Sequence, residues 1–265
     1  MTYHLGFDVA DLPSPLPTIA ILSGDPGRSA RIAADHFTDA RQLSDHRGLT
    51  SFVGRLGDRH VIAATSGMGA PSASIILNEL VQIGVTTITR VGSTGAIQPN
   101  IPIGSVVIST ASLCRQGAAN DIAPVEFPAA ADPFLTVALV SAARELGIAP
   151  FVGVTASVDT FYEGQERTES SANPHVLRSL QGITDEYRKL GVLNYEMESG
   201  TLFKMGLVYG VAVGCVCAVV ANRCLSEDVD RDAVAAAEDV AIAIAVRTST
   251  TYVNTTSFNS TSIGR

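Results

Sequence analysis

The segment T-I-A-I-L-S-G-D-P-G-R-S, Thr18 to Ser29, decides the fold class. Its first six residues are mostly apolar or β-branched and read as a buried strand; Gly24 and the Asp25-Pro26-Gly27 turn break that strand, and a helix is predicted from near Ser29. The same order recurs along the chain. Strands are expected at Thr18 to Ser23, His60 to Ser66, Thr86 to Val91, Ser105 to Thr110, Phe151 to Ser157 and Val211 to Val220. Helices are expected at Ser72 to Ile83, Pro133 to Leu146, Ser199 to Tyr209 and Asp232 to Val246, where apolar residues recur at helical spacing. This alternation predicts an α/β chain with a central, largely parallel or mixed sheet flanked by helices on both faces. No Pro/Gly/Ser-rich linker and no internal repeat divides it, so residues 1–250 are expected to form one domain. Residues 251–265, rich in hydroxyls and poor in large apolar side chains, read as a mobile polar tail.

At 265 residues the chain can bury about three quarters of its unfolded surface in one domain. Apolar residues make up 46%, charged residues 17%, and mean hydropathy is +0.26, which excludes extensive disorder and suits a large core and subunit interfaces. The formal net charge of −8 argues against a nucleic-acid partner, so any bound anion needs a local cluster of arginines. Cys114, Cys215, Cys217 and Cys224 form no C-x-x-C pair, and no metal site is expected. In V-A-V-G-C-V-C-A-V-V, Cys215 and Cys217 fall on one side of a strand as packed, reduced thiols. The N-terminal M-T-Y-H-L-G-F-D lacks the basic and apolar regions of a signal peptide, and the longest apolar run, Val211 to Ala221, is too short to span a bilayer. A cytoplasmic protein without a membrane partner is expected, and the sequons at Asn254 and Asn259 are read as accidental.

Two motifs suggest a nucleoside pocket. Y-E-G-Q-E-R, Tyr162 to Arg167, offers the amide of Gln165 and the guanidinium of Arg167. An amide both accepts and donates and arginine only donates, a set that suits a planar ring such as uracil, in which carbonyl oxygens alternate with an N–H. N-Y-E-M-E-S, Asn194 to Ser199, sets Glu196 and Glu198 around Met197, giving carboxylate acceptors for sugar hydroxyls beside a soft apolar surface. Either motif taken alone also fits a solvated loop.

Anion-binding chemistry lies elsewhere in the chain. G-D-P-G-R, Gly24 to Arg28, places a strand-to-helix turn beside an arginine, so backbone N–H groups and the Arg28 fork can face a phosphate, although such a turn is often only a turn. In R-V-G-S-T-G, Arg90 is read as ending a strand, while Gly92 and Gly95 let the backbone approach a ligand around Ser93 and Thr94. The pattern is neither a P-loop nor G-x-G-x-x-G, so no nucleoside triphosphate is implied. D-H-R-G adds Arg47.

These segments, in this order, resemble the uridine phosphorylase branch of the nucleoside phosphorylase family, from about Thr18 to about Arg223. G-A-I-Q-P at Gly95 to Pro99, V-T-A-S-V-D-T-F-Y at Val154 to Tyr162 and A-N-R at Ala221 to Arg223 extend the similarity. The resemblance implies an α/β sandwich that uses uridine and inorganic phosphate, without a cofactor, and acts on deoxyuridine or thymidine as possible further substrates. It assigns Gly24, Arg28, Arg90 and Ser93 to phosphate, with Arg47 supplied by a neighbouring subunit. It assigns Met197, Glu198 and the Ser93 hydroxyl to ribose, with His4 reaching a neighbour's 5′-hydroxyl. Phe161 becomes a stacking partner, and Thr94, Gly95, Gln165, Arg167, Glu196, Val220, Ala221 and Arg223 surround the base. The implied assembly is a hexamer built from three dimers with shared sites.

Three guanidinium groups exceed what bystander binding requires, since one close pair is worth roughly 4 kcal/mol at an effective dielectric near 20. That points to phosphate as a reactant. No G-x-S-x-G elbow and no Cys/His pairing is present, so direct attack by phosphate is expected, with Arg90, Gln165, Arg167 and Glu198 as the residues that carry catalysis. Two positions depart from the resemblance. Gly48 stands where a carboxylate would hold a monovalent cation beside Met68 and Ser72, and Cys224 replaces the hydroxyl or amide residue often found after N-R, next to the base. A purine nucleoside phosphorylase, a nucleosidase and a non-catalytic nucleoside-binding protein remain the alternatives.

Overall fold

The computed structural model describes residues 2–225 and 231–254, with the side chains of residues 231–233 left aside. Strand β1 (Ile19–Ser23) leads through the Asp25 cap into α1 (Pro26–His36). Helix α1 therefore begins three residues ahead of Ser29, because Pro26 is suited to the first helical turn and Asp25 accepts from the N–H groups of Gly27 and Arg28 at 3.0 and 3.2 Å. Strands β2 (Thr38–Ser44) and β3 (Ser51–Leu56) follow, then β4 (Arg59–Thr65) and α2 (Ala70–Gln82). Strand β2 has no apolar alternation to announce it. It is a polar, exposed edge strand paired antiparallel to β3, the composition that keeps an edge from joining another sheet.

The chain continues through β5 (Thr87–Ala96), β6 (Val106–Arg115), α3 (Gly117–Ile122), α4 (Pro133–Glu145) and β7 (Phe151–Val158). It ends with α5 (Ile183–Lys189), β8 (Asn194–Glu196), α6 (Ser199–Tyr209), β9 (Ala212–Asn222) and α7 (Arg231–Thr251). Arg90 does not end its strand. R-V-G-S-T-G is itself the second half of β5, because β9 pairs with it continuously from Thr87 to Thr94 and outweighs the poor strand propensity of glycine.

The sheet is mixed, as expected. Strands β4, β1, β5 and β9 run parallel, while β2 and β3 continue the sheet antiparallel beyond β4. Strand β9 also pairs with β6, β6 with β7, β7 with β8, and β8 returns to β5 at Gly95 and Ala96, so five strands close a ring. Side chains alternate between the two faces with period two. Ile19, Ile21, Val216 and Ala218 face α1, α4 and α7 through Ile32, Leu135, Leu139 and Ile244. Ala20, Leu22, Cys215 and Cys217 face α2 and α6 through Ile76, Leu77, Leu202 and Phe203. Each fully buried aliphatic side chain contributes about 1.5–3 kcal/mol relative to exposure, and the two layers hold the sheet from both sides. The paired cysteines are free, with their Sγ atoms 3.6 Å apart.

Where the polar tail was expected, Thr251 is the last residue of α7. Tyr252 is buried, its carbonyl accepting from Nη1 of Arg59 at 2.5 Å, and Asn254 donates to the Thr86 carbonyl at 3.2 Å. Residues 255–265, with the sequon at Asn259, lie outside the described residues.

Candidate active site

A cavity of about 470 Å³ opens around the second half of β5, bounded by the first turn of α1, the Phe161 to Arg167 turn, the Tyr195 to Glu198 segment and the end of β9. Every residue of β5 is buried except Ser93, which is exposed because it faces this space. Gly24, Arg28, Arg90, Thr94, Gly95, Phe161, Gln165, Arg167, Glu196, Met197, Glu198, Val220 and Ala221 line it as well. Adjacent residues on a strand normally point to opposite faces. Val220 and Ala221 both reach the cavity because the β5–β9 register slips there: Thr94 pairs with Val219 but Gly95 with Ala221, leaving Val220 as the extra residue of a bulge.

The glycines of β5 make room for arginines. A Cβ on Gly92 would overlap Nη1 of Arg90, and one on Gly95 would stand 3.3 Å from Cδ of Arg223 and 3.5 Å from Nη2 of Arg167. Both glycines leave room for arginine side chains, and Gly95 also lines the cavity. Arg90 is almost fully buried and ion-paired to Glu198, with Glu196 3.8 Å away and Sγ of Cys217 3.6 Å away. Burial pulls its pKa down, but Glu198 and Glu196 outweigh that effect and hold it well above the usual arginine value. Burial pushes the Glu198 carboxyl up, offset only in part by Arg90. Glu198 also accepts from the Gly69 N–H at 2.6 Å, which fixes the second carboxylate oxygen.

Glu196 lines the cavity, but its oxygens accept from the backbone N–H groups of Glu198 and Ser199 and from the Ser199 hydroxyl at 2.6–3.0 Å. Its local role is to satisfy the open N–H groups at the start of α6. The Thr94 hydroxyl is likewise engaged, donating to the Tyr195 carbonyl at 2.5 Å and accepting from Asn194 at 2.6 Å.

Arg28 enters from α1 and is 5% exposed. Asp25 occupies the N–H groups of Gly27 and Arg28, so this turn presents the Arg28 side chain to the cavity, where the sequence suggested a row of helix N–H donors. Nε of Arg28 and Nε of Arg90 are buried donors without partners, and both residues line the cavity. Nε of Arg31, outside the cavity, is likewise buried without a partner, so it is the placement of the Arg28 and Arg90 side chains on the cavity wall that marks an anion subsite.

The Y-E-G-Q-E-R turn is closed by the Arg167 N–H on the Tyr162 carbonyl at 2.8 Å, and the Glu166 carboxylate ties it to the start of α5 through the N–H groups of Gly182 and Thr184. Gln165 and Arg167 are buried, Nε of Arg167 donates to Oε1 of Gln165 at 3.3 Å, and the Arg167 guanidinium lies 4.2 Å from the Phe161 ring centroid. Arg223, expected to donate to the base, does not line the cavity. Its guanidinium donates to the backbone carbonyls of Gln165 and Glu166 and lies over the Tyr195 ring, so it holds the turn from behind. Cys224 does not line the cavity; its thiol donates to the Ile97 carbonyl at 3.2 Å.

His4 and Arg47 also lie outside the cavity, together on the surface around Tyr3. The Tyr3 ring meets the His4 ring edge-on at 4.9 Å, and the Arg47 guanidinium lies 5.5 Å from its centroid. Nδ1 of His4 lies 2.8 Å from the Glu79 carboxylate, in a separate groove with Asn78 and Tyr209. Gly48 takes φ +75°, and the Ser72 hydroxyl donates to the Ser66 carbonyl at 2.5 Å. Among the described residues no group of three or more His, Cys, Asp or Glu could hold a metal, and no helix is long and apolar enough to cross a membrane. The motifs passed over Asp25, Pro26, Met68 and Tyr195 as cavity residues; Tyr195 stood inside N-Y-E-M-E-S, but strand alternation sets it opposite Glu196, so no local signal placed both in one cavity.

An anion subsite built on arginines beside a polar planar-ring subsite, within a mixed α/β sheet, is the arrangement of an enzyme that joins phosphate to a nucleoside. The family model of the Phosphorylase superfamily matches residues 18–252, and the chain belongs to that superfamily. It is 43% identical over 244 residues to a uridine phosphorylase of Escherichia coli K12, covering 92% of this chain and 95% of that one. A uridine phosphorylase of Thermococcus kodakarensis is 38% identical over 227 residues, covering 86% and 79%. A DeoD-type purine nucleoside phosphorylase of Actinobacillus pleuropneumoniae is 32% identical over 204 residues, covering 76% and 78%.

Proposed function

We propose that this chain is a uridine phosphorylase, a pentosyltransferase that reversibly converts uridine and inorganic phosphate to uracil and ribose 1-phosphate. The observation that carries this reading is the pairing, in one cavity, of two buried arginines, Arg28 and Arg90, with a buried Gln165–Arg167 pair. The Arg90 and Gly95 positions lie roughly 16 Å apart along β5. The Arg90 side chain leans over Gly92 and shortens that gap toward the length of a nucleoside. The uridine phosphorylase relatives support the same substrates.

Gly24, Arg28, Arg90 and Ser93 receive phosphate beneath the sugar. Glu198 and Met197 receive ribose, while Phe161, Gln165, Arg167, Val220 and Ala221 surround uracil. As the glycosidic bond lengthens, positive charge on the sugar carbon faces the phosphate and negative charge on the departing base faces Gln165 and Arg167. Charges that develop only in the transition state are thus met by groups already in place. Phosphate then bonds to the anomeric carbon, and uracil leaves with the electrons of the broken C–N bond and takes up the proton that hydrogen phosphate gives up on forming the ester.

The surface cluster of His4 and Arg47 supports a shared site, with His4 reaching the ribose and Arg47 the phosphate of a neighbouring subunit in a hexamer of three dimers. Uracil release from uridine, measured with and without phosphate and beside deoxyuridine, thymidine and inosine, tests the assignment. Phosphate-dependent release favouring uridine over inosine is expected. Equal release in phosphate-free buffer would mark a nucleosidase, and tight uridine binding without turnover a non-catalytic binder.

A further inference from the structure

Glu238 of α7 receives two arginines from α1. Nη2 of Arg28 pairs with Oε1, and Nη2 of Arg31 with Oε2 at 2.7 Å. Glu238 is 8% exposed and does not itself line the cavity. The other terminal nitrogen of Arg28, Nη1, donates to the Val91 carbonyl at 3.2 Å and approaches Oγ of Ser23 at 3.4 Å. Arg28 is therefore held at both ends of its fork, while its Nε remains without a protein partner.

A carboxylate touching an arginine that faces an anion subsite opposes a second anion by charge. Its presence there is accounted for by geometry. A guanidinium is a rigid planar fork, and two fixed acceptors at its terminal nitrogens determine the plane in which the remaining donors lie. Arg31 occupies the second oxygen of Glu238 and lies 3.8 Å from the exposed carboxylate of Asp239, so within the buried part of the cluster one carboxylate is shared by two arginines. We infer that Glu238 is a positioning residue for Arg28, coupling α7 to phosphate binding. The inference rests on the phosphate role proposed above for Arg28.

The test compares Glu238→Gln, Glu238→Ala and Arg31→Ala with the intact chain. It reads the phosphate KM at saturating uridine, the uridine KM at saturating phosphate, and direct calorimetric titration of inorganic phosphate. Glu238→Ala should raise the phosphate KM and Kd by about tenfold and leave the uridine KM within about twofold, as expected when a charge-assisted contact is misplaced. Glu238→Gln retains a carbonyl acceptor and should fall in between. Arg31→Ala leaves the Arg28–Glu238 contact in place but removes the balancing charge, so the phosphate KM should rise less than in Glu238→Ala, with the uridine KM again unchanged. Should Glu238→Ala not fold, Glu238→Gln carries the comparison. Unchanged phosphate binding in the folded variants, a parallel rise in both KM values, or tighter phosphate binding in Glu238→Gln would overturn the inference. The calorimetric arm does not need turnover, so a failure of the phosphorylase assignment is read separately, from the intact chain's uracil release.

Discussion

Gly92 and Arg90 occupy one another's space: the Arg90 guanidinium lies where a Cβ on Gly92 would have to be, and that Cβ would also stand 2.8 Å from Cζ of Arg90 and 3.0 Å from Sγ of Cys217. A glycine within a central strand weakens the strand, so its presence here answers to the arginine. Gly92→Ala should therefore displace Arg90 from Glu198 and lower kcat/KM on the order of 100-fold or more, since small misplacement of a binding group is costly. The variant should remain folded by circular dichroism. Turnover equal to that of the intact chain would show that the cavity does not depend on this placement of Arg90.

On the proposed reading, base recognition divides into a contact and a support. Gln165→Ala should lower kcat/KM for uridine about tenfold, in line with the 1–3 kcal/mol cost of an unpaired polar group in a desolvated site, and should narrow the preference over inosine. Arg223 acts through the carbonyls of Gln165 and Glu166. Arg223→Ala should accordingly raise the uridine KM while leaving the phosphate KM unchanged. If Gln165→Ala alters neither uridine turnover nor base preference, the recognition role fails.

The N-terminal segment should loosen in acid. Burial acts to raise the Glu79 pKa, but the N–H groups of Leu5 and His4 and the His4 ring together hold it below the usual carboxylate value. A depressed folded pKa means that the stabilisation is fully present above the unfolded pKa and lost as pH falls through the folded one. Amide-exchange protection at His4 and Leu5 should therefore hold near neutrality and fall below about pH 4, the range where carboxylates protonate. Glu79→Gln should lose that protection at neutral pH as well. Protection that persists at pH 3 would show that Glu79 does not hold the segment.

Shared sites predict complementation. Arg47→Ala and Arg90→Ala chains should each be nearly inactive, because each removes a charge-assisted contact to a reactant. A mixed dimer would contain one site with both lesions and one with neither, so subunit exchange should restore part of the activity. No recovery in mixed oligomers confirmed by mass spectrometry would place Arg47 in its own chain's chemistry.

Much of the architecture was legible because it is written in local patterns. The apolar periodicity of Ser199 to Tyr209 fixed a helix with the same bounds as α6, and Pro133 to Leu146 came within one residue of α4. The two motifs around Gln165 and Glu198 named residues that do share a cavity. Strand β2 was not legible, since T-D-A-R-Q-L-S lies at an exposed edge and carries no burial pattern. The second half of β5 was read as a loop from its glycines, and only the ladder to β9 makes it a strand.

What the sequence by itself determined was composition of the site: which arginines, amide and carboxylates are available, and the strands and helices that carry them. Tertiary structure alone decided their duties. Arg223 donates to the Gln165 carbonyl behind the turn, and Glu196, on the cavity wall, accepts from the N–H groups at the start of α6. Val220 reached the cavity through a register slip against β5. Arg28 met Glu238 across 210 positions of chain. No local pattern encodes a contact of that separation, because the two residues become neighbours only when the apolar layers on the sheet bring α1 and α7 together.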